Sequence, residues 1–150
     1  MKEYFRDSVA TAEARLGDFV RTGDLGELDE NGCLRFKGRL KDIVRVGGEN
    51  VSPREIELLL REIDGVIEAA AIGVSDDIMG ERLAVFYQKE ARSPVDSAFL
   101  DRWLRERVAS YKLPVAFWEI DKWPETGSGK ISRLGLKELA KAHLLMSEPN

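Results

Sequence analysis

The chain reads as an α+β domain in which a small β-hairpin is followed by a three-stranded sheet packed with helices. Three observations predict it. Apolar and charged residues alternate on both sides of Glu30-Asn31-Gly32, residues 51–63 and 96–109 carry apolar side chains at helical spacing, and the β-rich runs 66–74 and 83–89 lie between those helices. With 150 residues, 43% of them hydrophobic, the chain can close one core and has little room for a second.

Taken in order, residues 1–21 mix Tyr4, Phe5, Val9, Leu16, Phe19 and Val20 with charges around an alanine-rich middle, which predicts a short helix within a connector. From Gly26 onward, Leu28, Leu34 and Phe36 alternate with Arg35 and Lys37 across the Asn-Gly pair. Both turn residues tolerate positive φ, so a two-stranded ribbon is expected. In 51–63, Ser52 can cap, Pro53 suits the first helical position and Glu55 completes an S-x-x-E capping box. Val51 and Ile56 form a candidate hydrophobic staple; Ile56, Leu59, Leu60 and Ile63 share one face, and Gly65 is expected to end the helix.

Residues 66–74 and 83–89 are rich in β-formers and separated by the polar SDDIMGER, so both are expected to be strands. In 96–109, Phe99, Leu100, Trp103, Leu104 and Val108 line one face and Asp101, Arg102, Arg105 and Glu106 the other. A core stripe explains them better than a cofactor site. Residues 115–120 supply a third strand, 124–130 a glycine-rich loop, and 132–145 a last helix expected to fray at SEPN. The order hairpin, α, β, β, α, β, loop, α implies a small sheet with helices against it.

Composition excludes several classes of function. A net charge of −4 and a pI near 5.2 argue against a duplex nucleic-acid binder, which needs a basic face. No run approaches the roughly 18 apolar residues of a membrane-spanning helix. KEYFRDS after Met1 has neither the apolar core of a secretory signal nor the character of a transit peptide, so a cytoplasmic location is expected. Cys33 is the only cysteine, with no internal disulfide partner and no nearby ligand with which to share a metal; no metal site is expected. His143, the only histidine, has no acid or nucleophile at a suggestive spacing.

Chemistry is most readily sought at Gly127-Ser128-Gly129-Lys130, where backbone amides and an ammonium could approach an anion together. A Walker A loop would need glycine at 124 and a hydroxyl residue at 131, where Pro124 and Ile131 stand. The stretch therefore reads either as a solvated turn with an exposed lysine or as part of another anion site. Further clusters of glycine and charge occur at Thr22-Gly23-Asp24, Gly38-Arg39-Leu40-Lys41-Asp42 and Gly47-Gly48-Glu49-Asn50. In order and at these separations, YFRD, RTGDLG, GRLKDIVRVGGENVSPREIE, YKLP and PETGSGKISR resemble the adenylate-forming family of acyl-CoA synthetases, peptide-synthetase adenylation domains and beetle luciferases.

The resemblance is to the C-terminal lid domain and covers nearly the whole chain. It implies a connector at 1–21, similar to the end of an N-terminal domain, and a lid at 22–150. The family's chemistry has two steps. A carboxylate attacks the α-phosphate of Mg-ATP and releases pyrophosphate; a thiol then displaces AMP from the acyl adenylate. By resemblance, Lys130 matches the lysine that stabilises charge in the first step. Asp24 matches the acid that accepts hydrogen bonds from the ribose hydroxyls, though a turn or capping aspartate is the plain alternative. Arg39 matches an arginine at the ribose and phosphate side of the nucleotide, against an ordinary surface arginine. Lys41 occupies the hinge position, and Gly47 and Gly48 would let the backbone approach the pantetheine of CoA, a role compatible with a tight turn.

ATP with Mg2+ and CoA are thus implied as substrates of a complete enzyme, with nothing held tightly by this chain. No STTGxPKG-type ATP loop and no acyl pocket is found, so the chain is expected to be a fragment, a truncated reading frame or a split subunit, inactive without an N-terminal domain as partner. Two alternatives stand beside this: a stand-alone interaction module that keeps the fold, and the lid of an adenylation domain that loads a carrier protein. The wording GGENVSPREIE is more similar to fatty-acyl and carnitine-type CoA ligases and favours CoA.

Overall fold

Asp7 begins the first element, its carboxylate accepting the N–H of Ala10 at 2.8 Å and capping α1 (Ser8–Glu13). The structure, a computed structural model, describes residues 3–147, and packing divides the chain into two units, Met1–Lys41 and Asp42–Asn150. This is a division by packing, whereas the expected connector boundary at 21/22 is one of family resemblance.

In the first unit, α1 is followed by a minimal hairpin of β1 (Arg15–Leu16) and β2 (Phe19–Val20), turned by Gly17 at φ +60°. The expected ribbon follows as β3 (Asp24–Leu28) antiparallel to β4 (Leu34–Arg39). Its turn differs from the expected Asn-Gly form. Leu28 pairs with Leu34, Gly32 has φ +75° while Asn31 stays at negative φ, and the Asp29 carboxylate accepts the N–H groups of Asn31 and Cys33 at 3.0 and 2.9 Å. An aspartate closing its own turn relieves Asn31 of the left-handed conformation. Among described residues of this unit only Gly38 is buried.

The second unit is built around one sheet. A short hairpin, β5 (Val44–Val46) and β6 (Glu49–Val51), leads into α2 (Pro53–Arg61). The long antiparallel pair β7 (Val66–Asp76) and β8 (Gly80–Lys89) follows, then α3 (Ser97–Arg105), β9 (Ala116–Glu119) and α4 (Arg133–Ser147). The strands run in the order β6-β5-β8-β7, with β9 parallel to β8. A parallel partner requires a crossover, and the segment containing α3 provides it. The three expected strands are β7, β8 and β9; β5 and β6 extend the sheet to five.

Both faces of β7 and β8 are covered. Ala69, Ala71, Leu83 and Val85 join Val46, Ile56, Leu60, Leu100 and Leu104 in one cluster, while Ala70, Ile72, Ala84 and Phe86 join Leu136 and Ala140 in the other. That alternation explains why these strands read as continuous apolar runs rather than every second residue. Leu100 and Leu104 are fully buried, each contributing about 1.5–3 kcal/mol through removal from water.

Helix ends depart from the expectations in instructive ways. The Ser52 side-chain half of the capping box does not form. Ser52 makes no side-chain cap bond, and the Glu55 carboxylate is taken by Lys112 Nζ at 2.8 Å. Val51 and Ile56, the candidate staple, are both fully buried in one cluster. α2 ends at Arg61 with Glu62 as its cap, so Gly65, at φ +88°, turns the chain into β7 instead of ending the helix. α3 stops at Arg105 because the chain then tightens into turns, and the Asp96 carboxylate caps its start by accepting the N–H of Phe99 at 2.7 Å. Fraying at SEPN falls, from residue 148 on, outside the described residues.

Candidate functional site

Lys130 stands on a loop that the backbone closes twice. The Ser132 N–H donates to Pro124 O at 2.7 Å, the Thr126 N–H to Lys130 O at 2.7 Å, and Gly129, at φ +73°, donates back to Thr126 O at 2.9 Å. Glu125 and Ile131 form an isolated antiparallel bridge, and Thr126 and Ser128 hydroxyls lie 3.0 Å apart. Repeated glycines fit this need: Gly129 turns the chain through a conformation a side chain would strain. The result is a small closed hairpin with an exposed lysine at its base.

The loop is anchored at both ends. Gly135, in the first turn of α4, lies so near Pro124 that a Cβ there would come within 2.7 Å of the proline Cβ. Arg133 reaches in the other direction. Its Nη1 donates to Ala71 O in β7 at 2.6 Å, its Nη2 to Glu57 Oε1 in α2 at 2.9 Å, and its Nε lies 3.5 Å from Asp42 Oδ2. Glu57 is 3% exposed and also accepts the Ala71 N–H at 3.0 Å. A buried carboxylate needs such partners, since its desolvation is otherwise uncompensated.

Lys130, Ile131 and Arg133 share a cleft of about 460 Å3 with Arg54, Glu57 and Arg61. Its cations are partly matched: Arg61 meets Glu68 at 2.5 Å and Arg54 lies 4.0 Å from Glu57. Glu57, Arg133 and Asp42 escaped the sequence-level assignment of roles. A signal for Glu57 was available, because Pro53, Glu57 and Leu60 follow helical spacing and all three are buried.

The other expected site residues fall into two groups. Asp24 and Arg39 face each other across the ribbon, register partners with Arg39 Nε 3.1 Å from Asp24 Oδ1. The two residues matched to nucleotide contacts are thereby brought together, each satisfying the other. Lys41 lies in a 3-10 turn (Leu40–Asp42), is exposed, and is the last residue of the first compact unit. Gly47 and Gly48 form the two-residue turn between β5 and β6, with φ +58° and +92°, and the Gly47 N–H donates to Met79 O at 2.9 Å. Two successive positive φ values are the signature of a tight hairpin turn open to glycine.

Among the described residues no cluster of three or more His, Cys, Asp or Glu could hold a metal ion, and no helix is long and apolar enough to cross a membrane.

Comparison with known proteins bears on this arrangement directly. Residues 55–130 match the model of the AMP-binding enzyme C-terminal domain. A 3-[(3aS,4S,7aS)-7a-methyl-1,5-dioxo-octahydro-1H-inden-4-yl]propanoyl:CoA ligase of Mycobacterium tuberculosis is 39% identical over 140 residues, covering 93% of this chain and 28% of that protein. A 2-succinylbenzoate–CoA ligase of Geobacillus kaustophilus is 37% identical over 138 residues, 92% of this chain and 28% of its own length. Among solved structures, ATP-bound MatB from Rhodopseudomonas palustris superposes with a TM-score of 0.85 at 34% identity, covering 93% of this chain and 28% of that one. The chain thus spans little more than a quarter of the length of these relatives. With that match over residues 55–130, and with relatives more than 30% identical across most of its length, the chain belongs to the AMP-binding enzyme C-terminal domain family.

Proposed function

We propose that this chain is the mobile lid of an acid:CoA ligase, supplying Lys130 to the adenylation step and turning at Lys41 to admit CoA for the second. In the first step a carboxylate oxygen bonds to the α-phosphorus of Mg-ATP as the bond to pyrophosphate breaks. In the second a thiol bonds to the acyl carbon and AMP leaves. The observation that carries this reading is the closed loop at 124–132, which orders the backbone of Lys130 while leaving its side chain exposed. An ammonium held there and brought to the α-phosphate stabilises charge that grows in the transition state. Asp24 and Arg39 would exchange their mutual ion pair for ribose and phosphate, and Gly47 and Gly48 offer a turn without side chains to pantetheine.

Residues 1–21 serve in this reading as the connector from an N-terminal domain, which holds the ATP loop and the acyl pocket; the location is the cytoplasm. The test is reconstitution with an N-terminal domain of the same family. Exchange of labelled pyrophosphate into ATP is expected with the pair and not with this chain alone, and Lys130→Ala is expected to depress exchange far more than thioester formation from supplied acyl-AMP. Strong exchange by the isolated chain, or equal loss in both half-reactions, contradicts the assignment. Binding of a protein partner that is indifferent to nucleotide and to Lys130→Ala would favour an interaction module instead.

A further inference from the structure

Arg133 stands three residues after Lys130 and spends each nitrogen of its guanidinium on a different element. Nη1 holds the β7 carbonyl of Ala71, Nη2 the carboxylate of Glu57 on α2, and Nε faces Asp42, the residue immediately after Lys41. A fork with fixed geometry suits this better than a lysine, which offers a single point of charge. Swinging Arg133 away would leave Glu57, 3% exposed, with only Arg54, 4.0 Å off, as a cation and without the Nη2 hydrogen bond. The start of α4 is therefore pinned to the sheet. Through Ser132 N–H to Pro124 O at 2.7 Å and the close approach of Gly135 to Pro124, so is the far end of the lysine loop.

We infer that Arg133 is the positioning residue of the Lys130 loop, tying it through Glu57 and β7 to Asp42 so that the lysine and the segment after Lys41 move as one body. The inference rests on the lid reading for what that motion accomplishes, and on this chain's own contacts for the tie itself. Buried ion pairs contribute little net stability compared with well-packed apolar groups, so the distinctive effect of this one is geometric. Without it, a turn at the hinge would deliver the domain but not the ammonium.

Amide hydrogen exchange in the 150-residue chain tests the tie without reference to activity. Arg133→Ala is expected to speed exchange at Thr126, Gly129 and Ser132 about tenfold or more, relative to Ile72 and Val85 as internal references. Arg133→Lys should recover part of that loss. Asp42→Ala, which leaves Glu57 and Ala71 engaged, should speed the same three amides by a few-fold. Unchanged loop rates in Asp42→Ala overturn the coupling to the hinge segment, even if Arg133→Ala fails to fold; unchanged loop rates in a folded Arg133→Ala overturn the positioning role altogether. In a reconstituted enzyme, Arg133→Ala should lower the maximal rate of pyrophosphate exchange with KM for ATP little altered, and spare thioester formation. Absence of exchange with the unsubstituted chain would count against the ligase reading, while the amide rates would still decide the positioning role.

Discussion

Lys112 Nζ donates to both carboxylate oxygens of Glu55, at 2.8 and 2.9 Å, joining the first turn of α2 to a 3-10 turn 57 residues later. The pair is partly exposed, with side-chain accessibilities of 22% and 42%, so its strength is discounted for solvent. Glu55→Gln and Lys112→Met are each expected to lower stability by about 0.5–1 kcal/mol, with a coupling of about 0.5 kcal/mol in a double-mutant cycle followed by urea unfolding. Zero coupling would mean that Glu55 acts only on the helix terminus.

Glu57 is a different case. Removing it leaves the Ala71 N–H and the Arg133 Nη2 without their acceptor in a place where Glu57 itself is 3% exposed. Breaking a buried pair costs about 3–5 kcal/mol, and because the Arg133 side chain is 35% exposed, water can take up part of the loss. Glu57→Ala is expected to lose about 2–3 kcal/mol, and Glu57→Gln, which keeps an acceptor, distinctly less. Equal losses would show that charge and not hydrogen bonding sustains the contact.

Asp76 makes the acid limb of stability testable. Its carboxylate accepts the Met79 N–H at 2.8 Å and the Ile78 N–H at 3.0 Å, and those bonds hold its pKa below the ordinary 3.8. A lowered folded pKa means that its contribution is present above the unfolded value and lost as pH falls through the folded one. The urea midpoint of the unsubstituted chain is therefore expected to drop more steeply below about pH 4 than that of Asp76→Asn. Parallel curves would remove Asp76 from the account of acid sensitivity.

The two turn glycines predict different responses to alanine. A Cβ on Gly47 would lie 2.5 Å from the Met79 methyl, whereas Gly48 has open space and its cost is conformational, at φ +92°. Each alanine is expected to cost about 1–2 kcal/mol. Met79→Ala should soften the effect of Gly47→Ala and leave that of Gly48→Ala unchanged, as thermal melts of the four combinations would report. Relief of both, or of neither, contradicts the contact.

The fold was legible where periodicity runs long enough to be seen. Ile56, Leu60 and Ile63 announced the buried face of α2, and Leu100 and Leu104 that of α3, because 3.6-residue spacing repeats within each. β5 and β6 have three residues each, too short for alternation to register, although two glycines between Val46 and Glu49 are a hairpin signal in their own right. Glu55 shows the opposite failure. A local rule paired it with Ser52, whose side chain makes no cap bond, and could not foresee Lys112, far along the chain, which holds its carboxylate. At the site, Lys130 and the glycine turns were visible in their motifs; Glu57 showed only as a charge at helical spacing from Pro53 and Leu60, and its tie to Arg133 not at all, since that partner lies 76 residues away.

Among the described residues the ribbon of β3 and β4 is a sheet of two strands, so each has an edge outside any strand pairing there, and Leu28, Leu34 and Phe36 on it are more than half exposed. Such edges are templates for another strand. Opposing that tendency are charges ranged across the ribbon, Lys37 with Glu27 at 2.7 Å and Arg39 with Asp24 at 3.1 Å. Salt weakens the influence of surface charge on an approaching copy. Concentrated stocks should accordingly turn cloudy sooner at high ionic strength than at low, and the bottle on the shelf would then register this ribbon before any assay did.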